Sequence, residues 1–253
     1  MKNSQIKLLF FVLLLCFSCS KSDSITKVFN IEGSYTQLEV SDSFVVTVSD
    51  QATEITVTTS EDVMPKVVVE KVGDKLKIYL NSKTDADDLD LKVIIPYNPD
   101  LVSVKLMTGS EFHSEYGLNG EKIKLDAYGI AKFCCDIDAD EVEIDVSSST
   151  IVIDGTLVAT NLNLRMSNSD ITLVGQVSKL KIDLSGYSNI IRKKVNNRYS
   201  LVCDQCEGVV KNHSEAYIFC DGSIKVNVFN QGVLYYMGNA DTSGSSGLIY
   251  HMG

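Results

Sequence analysis

Residues Val142–Gly155 read VEIDVSSSTIVIDG, and residues Leu162–Gly175 read LNLRMSNSDITLVG, twenty positions further along the chain. Each segment alternates apolar and polar residues, passes through a short run of small polar residues, and then alternates again. Alternation with a period of two is typical of a half-buried β-strand, and the small polar run is typical of a bend. A unit this short cannot bury its own apolar row, so we expect such units to stack on one another.

The same unit recurs beyond residue 100, with polar corners at nearly constant intervals. An apolar triplet precedes most corners and is expected to point into the core. The triplets are Ile123/Leu125/Ala127, Val142/Ile144/Val146, Leu162/Leu164/Met166, Leu180/Ile182/Leu184 and Ile224/Val226/Val228. A longer interval between Ser185 and Asn212 predicts an insertion or a strand out of register. The repeat therefore predicts an all-β fold in which residues 101–253 form a right-handed parallel β-solenoid, or β-helix.

Residues 28–100 differ from the repeat and are expected to form a β-rich N-terminal part. Short β-type runs are separated by turn residues there, and Gly73-Asp74 between two such runs predicts a hairpin. All three prolines of the chain, Pro65, Pro96 and Pro99, fall within this part. No proline follows Pro99 in the sequence. This favours uninterrupted hydrogen-bonded ladders between strands, which proline would break.

The start of the chain predicts export. Lys2 and Lys7 precede the apolar run Leu8–Phe17, which is typical of a signal peptide and too short for a stable membrane anchor. Residues 1–18 resemble a bacterial lipoprotein signal, with Cys19 as the lipidated first residue of the mature chain and residues 19–27 as a tether. We therefore expect the lipid to anchor the protein to a membrane, at the outer membrane or the cell surface. A location on the periplasmic face and simple secretion without an anchor are the alternatives.

Charge argues against nucleic acid as a partner. The chain has 33 acidic and 23 basic residues and a formal net charge of −10, which becomes −12 once residues 1–18 are removed. A strongly negative protein repels phosphate backbones and anionic lipid headgroups. Solubility at a crowded cell surface is the simpler reason for this balance.

No catalytic, cofactor or metal site is predicted. The three histidines lie far apart, and neither a GxSxG nor an HExxH motif occurs. Cys203 and Cys206 have the spacing of half a zinc or redox site, but no second pair completes it. Buried thiols, a disulfide and a metal site all remain open for these cysteines.

Two sets of side chains are candidates for surface binding. Asp126, Asp145, Arg165 and Asp183 follow the central apolar residue of successive units, so they would form one outward column. Such a column could bind a cation or a sugar or act in a polysaccharide-degrading enzyme, or its charges could simply pair. Tyrosines at corners and in late units are expected to be exposed and to supply rigid amphipathic area for a glycan or a protein loop. They are Tyr128, Tyr187, Tyr217, Tyr235 and Tyr236.

The end of the chain carries a family resemblance. Gly232–Asn239 (GVLYYMGN) and Ser243–Gly247 (SGSSG), after the repeated small-residue corners, resemble the head-GIN domain family of auto-transporter adhesins. The link Pro96–Leu101 fits the same family, and the resemblance covers residues 28–253. It implies an exported β-solenoid, often a lipoprotein of Bacteroides-like bacteria, with a non-catalytic adhesion-type role. The polysaccharide-active enzyme and a purely structural envelope protein are the alternatives, and the oligomeric state stays undetermined.

Overall fold

The computed structural model describes residues 23–82, 90–195 and 198–252, without the side chains of residues 194, 195 and 198. The predicted signal peptide and Cys19 lie outside these residues. The described chain is almost entirely β-strand and contains a single 3-10 turn, Met64–Lys66. Within the described ranges, no helix has the length and apolar character needed to cross a membrane.

Nineteen strands are described, and they run the length of the chain. Those before residue 115 are β1 (Ser24–Phe29), β2 (Gln37–Val40), β3 (Val45–Ser49), β4 (Ile55–Ser60), β5 (Val67–Val72), β6 (Lys75–Leu80), β7 (Lys92–Pro96), β8 (Ser103–Met107) and β9 (Glu111–His113). Those that follow are β10 (Leu118–Cys134), β11 (Ile137–Ser167), β12 (Asp170–Ser185), β13 (Asn189–Ile190), β14 (Lys194–Val195), β15 (Arg198–Tyr199), β16 (Leu201–Lys211), β17 (Glu215–Phe229), β18 (Val233–Met237) and β19 (Ile249–His251).

The long strands stack in parallel with their apolar triplets in register. β10 pairs with β11 so that Leu125 lies opposite Ile144, and β11 pairs with β12 so that Leu164 lies opposite Ile182. All four side chains are fully buried. Hydrophobic burial of this kind contributes about 1.5–3 kcal/mol for each large aliphatic side chain. The all-β class and the parallel pairing of the repeats are confirmed.

The parallel stack begins within the N-terminal part rather than after residue 100. β6 pairs with β2, β2 with β8 and β8 with β10, which places Leu76, Leu38, Val104 and Leu125 in one buried row. β5 and β6 form the antiparallel hairpin predicted at Gly73-Asp74. Seventeen strands thus belong to one sheet that continues across the predicted boundary.

The stretch predicted as a tether ends earlier than residue 27. β1 starts at Ser24 and pairs antiparallel with β4 along its whole length. Backbone pairing and a 2.8 Å hydrogen bond between the hydroxyls of Thr26 and Thr58 hold it there. This strand is only six residues long, and its apolar residues do not alternate strictly with polar ones, which explains why it does not stand out in the sequence.

Serines line the inside of one corner of the stack, where they satisfy buried backbone amides. The amide of Ser149 donates to Ser169 Oγ at 3.2 Å, that of Ser169 to Ser188 Oγ at 3.3 Å, and that of Ser188 to Ser214 Oγ at 3.1 Å. All four serines are buried. Hydrogen bonding between stacked corner serines explains why small hydroxylated residues recur at the bends.

The long interval after Ser185 contains an insertion, as predicted. The pairing of β12 with β16 sets Leu180 opposite Cys206, which lies further along the chain than one regular repeat. β13 occupies part of the interval, and β14 and β15 form a separate two-stranded antiparallel sheet.

Candidate functional site

The predicted outward column exists and is longer than expected. Successive strand pairings place Glu39 beside Lys105, Lys105 beside Asp126, Asp126 beside Asp145, and Arg165 beside Asp183. Hydrogen bonds from the Arg165 guanidinium to the Asp145 carboxylate join the two halves of β11 across one layer. We call this set, which is Glu39, Lys105, Asp126, Asp145, Arg165 and Asp183, the charged column.

Ion pairs neutralise the predicted members of the charged column. Arg165 Nη2 lies 2.9 Å from Asp145 Oδ2, Lys124 Nζ lies 3.2 Å from Asp126 Oδ2, and Lys211 Nζ lies 3.4 Å from Asp183 Oδ1. The hydrogen bond with Asp145 raises the pKa of Arg165 above its ordinary value. Each predicted carboxylate therefore has a cationic partner, which favours charge pairing over acid–base catalysis by this column.

Loss of the central ion pair is expected to change stability only slightly. Arg165→Ala should lower the free energy of unfolding by about 1 kcal/mol or less, because more than half of the Arg165 side chain is exposed and the pair is screened by water. Urea unfolding of Arg165→Ala and of Arg165→Lys measures this. A loss comparable to a core truncation would mean that the pair is structurally essential.

Tyrosines form a second row, which runs to the C-terminal end of the stack. Strand pairing sets Tyr217 beside Tyr235 and Tyr235 beside Tyr250. The first two rings stack with centroids 4.6 Å apart and planes at 7°, and the second two with centroids 5.6 Å apart and planes at 23°. Tyr199 meets Tyr217 edge-on at 5.5 Å. These four residues are the tyrosine ladder.

The tyrosine ladder becomes more exposed towards its end. Tyr199 is buried, Tyr217 and Tyr235 are half-buried, and Tyr250 is 46% exposed. Burial and a 2.9 Å hydrogen bond to Glu215 raise the pKa of Tyr217, so its hydroxyl stays protonated. The guanidinium of Arg192 lies 5.9 Å from the Tyr217 ring, within the range of a cation–π contact. The ladder thus presents flat, amphipathic faces at a fixed spacing.

Tyr187, also proposed from the sequence, lies apart from the ladder. It occupies a corner of the stack, is 65% exposed, and stacks on His213 with centroids 4.8 Å apart. The structure therefore separates Tyr187 from both the charged column and the tyrosine ladder.

The cysteines after residue 130 are free thiols in the structure, and four of the five are buried. Cys203 and Cys220 are paired neighbours on β16 and β17. A hydrogen bond with Cys206 and burial raise the pKa of the Cys203 thiol. Across residues 23–82, 90–195 and 198–252, no group of three or more His, Cys, Asp or Glu side chains is arranged to hold a metal ion.

Sequence reasoning missed two members of the tyrosine ladder, Tyr199 and Tyr250. Tyr199, Tyr217 and Tyr235 are equally spaced along the chain, which is a signal visible in the sequence. Tyr250 follows at a shorter interval because the last layer is shorter, so spacing alone could not find it.

Fold and surfaces together define an all-β module of stacked parallel strands with exposed aromatic side chains. The chain belongs to the head GIN domain family, because the family model described as "Putative auto-transporter adhesin, head GIN domain" matches residues 34–167. The match is shorter than the span of residues 28–253 that the resemblance suggested. The family description names an adhesin and not an enzyme.

Solved structures extend the likeness in fold over nearly the whole chain. A putative adhesin from Parabacteroides distasonis is 17% identical, with a TM-score of 0.73 over 92% of this chain and 98% of that one. A putative adhesin from Parabacteroides merdae is 16% identical, with a TM-score of 0.72 over 92% and 95%. A putative lipid binding protein from P. distasonis is 17% identical, with a TM-score of 0.64 over 92% and 96%. Among curated proteins, none matches this chain.

Proposed function

We propose that this protein is an exported envelope lipoprotein that acts as a non-catalytic binding module, built as a right-handed β-solenoid and anchored through Cys19. The observation that carries the proposal is the tyrosine ladder. Stacked, partly exposed rings offer a glycan or a protein loop a rigid contact surface at little entropic cost. The adhesin description of the family supports the same role.

The position of the ladder supports presentation away from a membrane. β1, next to the proposed anchor, is the first strand of a paired series that continues through β4, β7, β3, β9, β10, β11, β12, β13, β17, β18 and β19. At a strand spacing of about 4.8 Å, this series separates β1 from Tyr250 by roughly 50 Å. A lipid at Cys19 would therefore hold the ladder at the end of the molecule that faces outward.

The polysaccharide-degrading alternative depends on the charged column and is disfavoured by its ion pairs. A glycosidase needs one carboxyl group free to donate a proton and a second that is free to act as base or nucleophile. Asp126, Asp145 and Asp183 are instead engaged by lysine or arginine. Turnover of a polysaccharide that Asp145→Asn abolishes would restore this alternative.

Replacement of Tyr235 tests the binding role. Tyr235→Ala should weaken the strongest interaction found on a glycan and matrix-protein array by about tenfold or more, because it removes the central ring of the ladder. Isothermal titration calorimetry on the mature protein measures the affinity. Phe229→Ala is the control, since it also removes an aromatic ring, and Phe229 is exposed and lies outside the ladder. Equal affinities for the two variants would contradict the role given to the ladder.

A lipid-binding role is a second candidate, favoured by a cleft at the N-terminal end. The cleft has a volume of about 330 Å³, and its apolar wall includes Phe29, Ile31 and Tyr97. Tyr35 also lines it, and its buried hydroxyl has no hydrogen-bond partner among the described residues. Binding of a fluorescent fatty-acid analogue that Tyr97→Ala abolishes would establish this role, whereas binding unchanged by that variant would exclude the cleft.

A further inference from the structure

A pocket of about 250 Å³ on the outward face of β11, β12, β16 and β17 concentrates positive charge. Lys179, Lys181 and Lys225 line it, and all three side chains are exposed. Glu207, the one acidic residue of its described lining, lies in register between Lys181 and Lys225. Three lysines and one glutamate give this lysine pocket a net charge of +2, in a chain whose formal net charge is −10.

The three lysines of the pocket lack the ion pairs that other cations on the outside of the stack form. Lys122 Nζ lies 3.2 Å from Glu141 Oε1 and 2.7 Å from Glu143 Oε1. Among the described residues, by contrast, none of the pocket lysines forms an ion pair with a carboxylate. Ammonium groups around one pocket repel each other, and an anion bound between them would relieve that repulsion.

Strand geometry spreads these cations over the width of the pocket. Lys179 and Lys181 are two residues apart on β12, which separates their Cα atoms by about 7 Å. Lys181 and Lys225 lie on strands that flank β16, so about 10 Å separates them. The stem of Lys225 packs on Gly244, where an added Cβ atom would lie 3.0 Å from Lys225 Cγ. This spread suits several anionic groups on one chain better than a single small anion.

Amide and hydroxyl side chains line the same pocket between the lysines. They are Asn161, Asn163, Gln205 and Ser223. Asn163 is held in place by a 3.2 Å hydrogen bond from its Nδ2 to Glu141 Oε1. Amides and hydroxyls both donate and accept hydrogen bonds, as sugar hydroxyls do. The lining therefore combines cations for an acidic group with side chains that can bind hydroxyls.

The negative charge of the whole chain does not prevent a local anion site, but it limits the size of the ligand. At physiological ionic strength, charges further away than about 8 Å are largely screened, so the pocket's own side chains dominate the field inside it. A bilayer or a nucleic-acid duplex would also bring its anionic surface against the acidic remainder of the protein. A single oligosaccharide chain contacts the pocket alone and avoids that repulsion.

We propose that the lysine pocket binds an acidic oligosaccharide, whose carboxylates or sulfates contact the three lysines and whose hydroxyls contact the amide side chains. The pocket is separate from the tyrosine ladder. It therefore adds a ligand class to the proposed binding role and does not depend on the ladder.

The test is calorimetric titration of the mature protein with a carboxylated hexasaccharide of polygalacturonate, a sulfated hexasaccharide of heparin and a neutral hexasaccharide of cellulose. The double variant Lys179→Gln/Lys181→Gln should weaken binding of the preferred acidic hexasaccharide about tenfold, because it removes two of the three cations. Glu207→Gln should strengthen it several-fold, because it removes the carboxylate between Lys181 and Lys225. Higher salt should weaken it.

Lys92→Gln is the control for the change in net charge. Lys92 lies on β7, outside the pocket, and its side chain is exposed. This variant should leave the affinity as it is. A merely structural role of the pocket lysines would not produce opposite changes in affinity for the lysine and glutamate variants.

Several outcomes would overturn the assignment of the pocket. These are no binding of either acidic hexasaccharide by the folded wild-type protein, equal binding of the neutral one, or an unchanged affinity in the double lysine variant. Preferential binding of inorganic phosphate, or of vesicles that contain phosphatidylglycerol, would also overturn it. Acidic-glycan binding that only Tyr235→Ala weakens would overturn it and leave the proposed function in place. The proposed function fails as well only if Tyr235→Ala shows no loss against any partner on the array.

Discussion

Leu164→Ala is expected to destabilise the protein by about 2–5 kcal/mol, because it removes a large side chain from the centre of a close-packed row. Leu164 is fully buried and lies opposite Ile182 on the next strand. A neighbouring layer cannot move in to fill the cavity without breaking its own backbone ladder. Urea unfolding followed by far-ultraviolet circular dichroism gives the free energy. Hydrogen exchange should show faster opening of β11 and β12 than of β2 and β6.

Val158→Ala is the matched control for this core truncation. Val158 belongs to the same strand but is 47% exposed, so its replacement should change the free energy of unfolding by about 0.5 kcal/mol or less. Similar losses for the two variants would mean that the apolar triplets do not face a common interior, and the stacked arrangement would then be wrong.

The repeat allowed the stacked part of the fold to be predicted because its physics is local. Alternation marks which side chains face inward, and Ser147–Ser149 and Ser167–Ser169 mark where the chain bends. Parallel pairing then follows, since the apolar rows can be buried only by the next copy. In contrast, the pairing of short strands that are far apart in the sequence is not determined by the pattern of neighbouring residues. That is why the sequence did not reveal that β2 and β6 belong to the same stack.

The candidate sites were less predictable than the fold. The charged column could be drawn from spacing, but the choice between a free reactive group and a paired one depends on Lys124 and Lys211, which lie outside that spacing. Ser149 and Ser169 look equivalent in the sequence, and only the structure distinguishes the hydroxyl with a partner from the one without.

Gly208→Ala is expected to be among the most destabilising single changes in the chain. Gly208 lies opposite Ile182 and Val226 in the parallel stack, with a backbone φ of +132°. A Cβ atom there would overlap the backbone carbonyl of Ile182, and backbone in the ladder cannot give way as a flexible side chain can. The conformation contributes a loss of about 1–3 kcal/mol, and the overlap adds about 1–3 kcal/mol. Urea unfolding measures the total.

Gly73→Ala separates the two contributions to that loss. Gly73 also has a positive φ, +62°, but a Cβ atom at this hairpin turn would meet nothing within 4 Å. Its replacement should therefore cost only the conformational part, about 1–2 kcal/mol. If Gly208→Ala proved no worse than Gly73→Ala, the layers at β12 and β16 could not lie as close as their pairing requires. Because β12 also carries Asp183 and leads into the Tyr187 corner, looser packing there would undermine the placement of both surfaces.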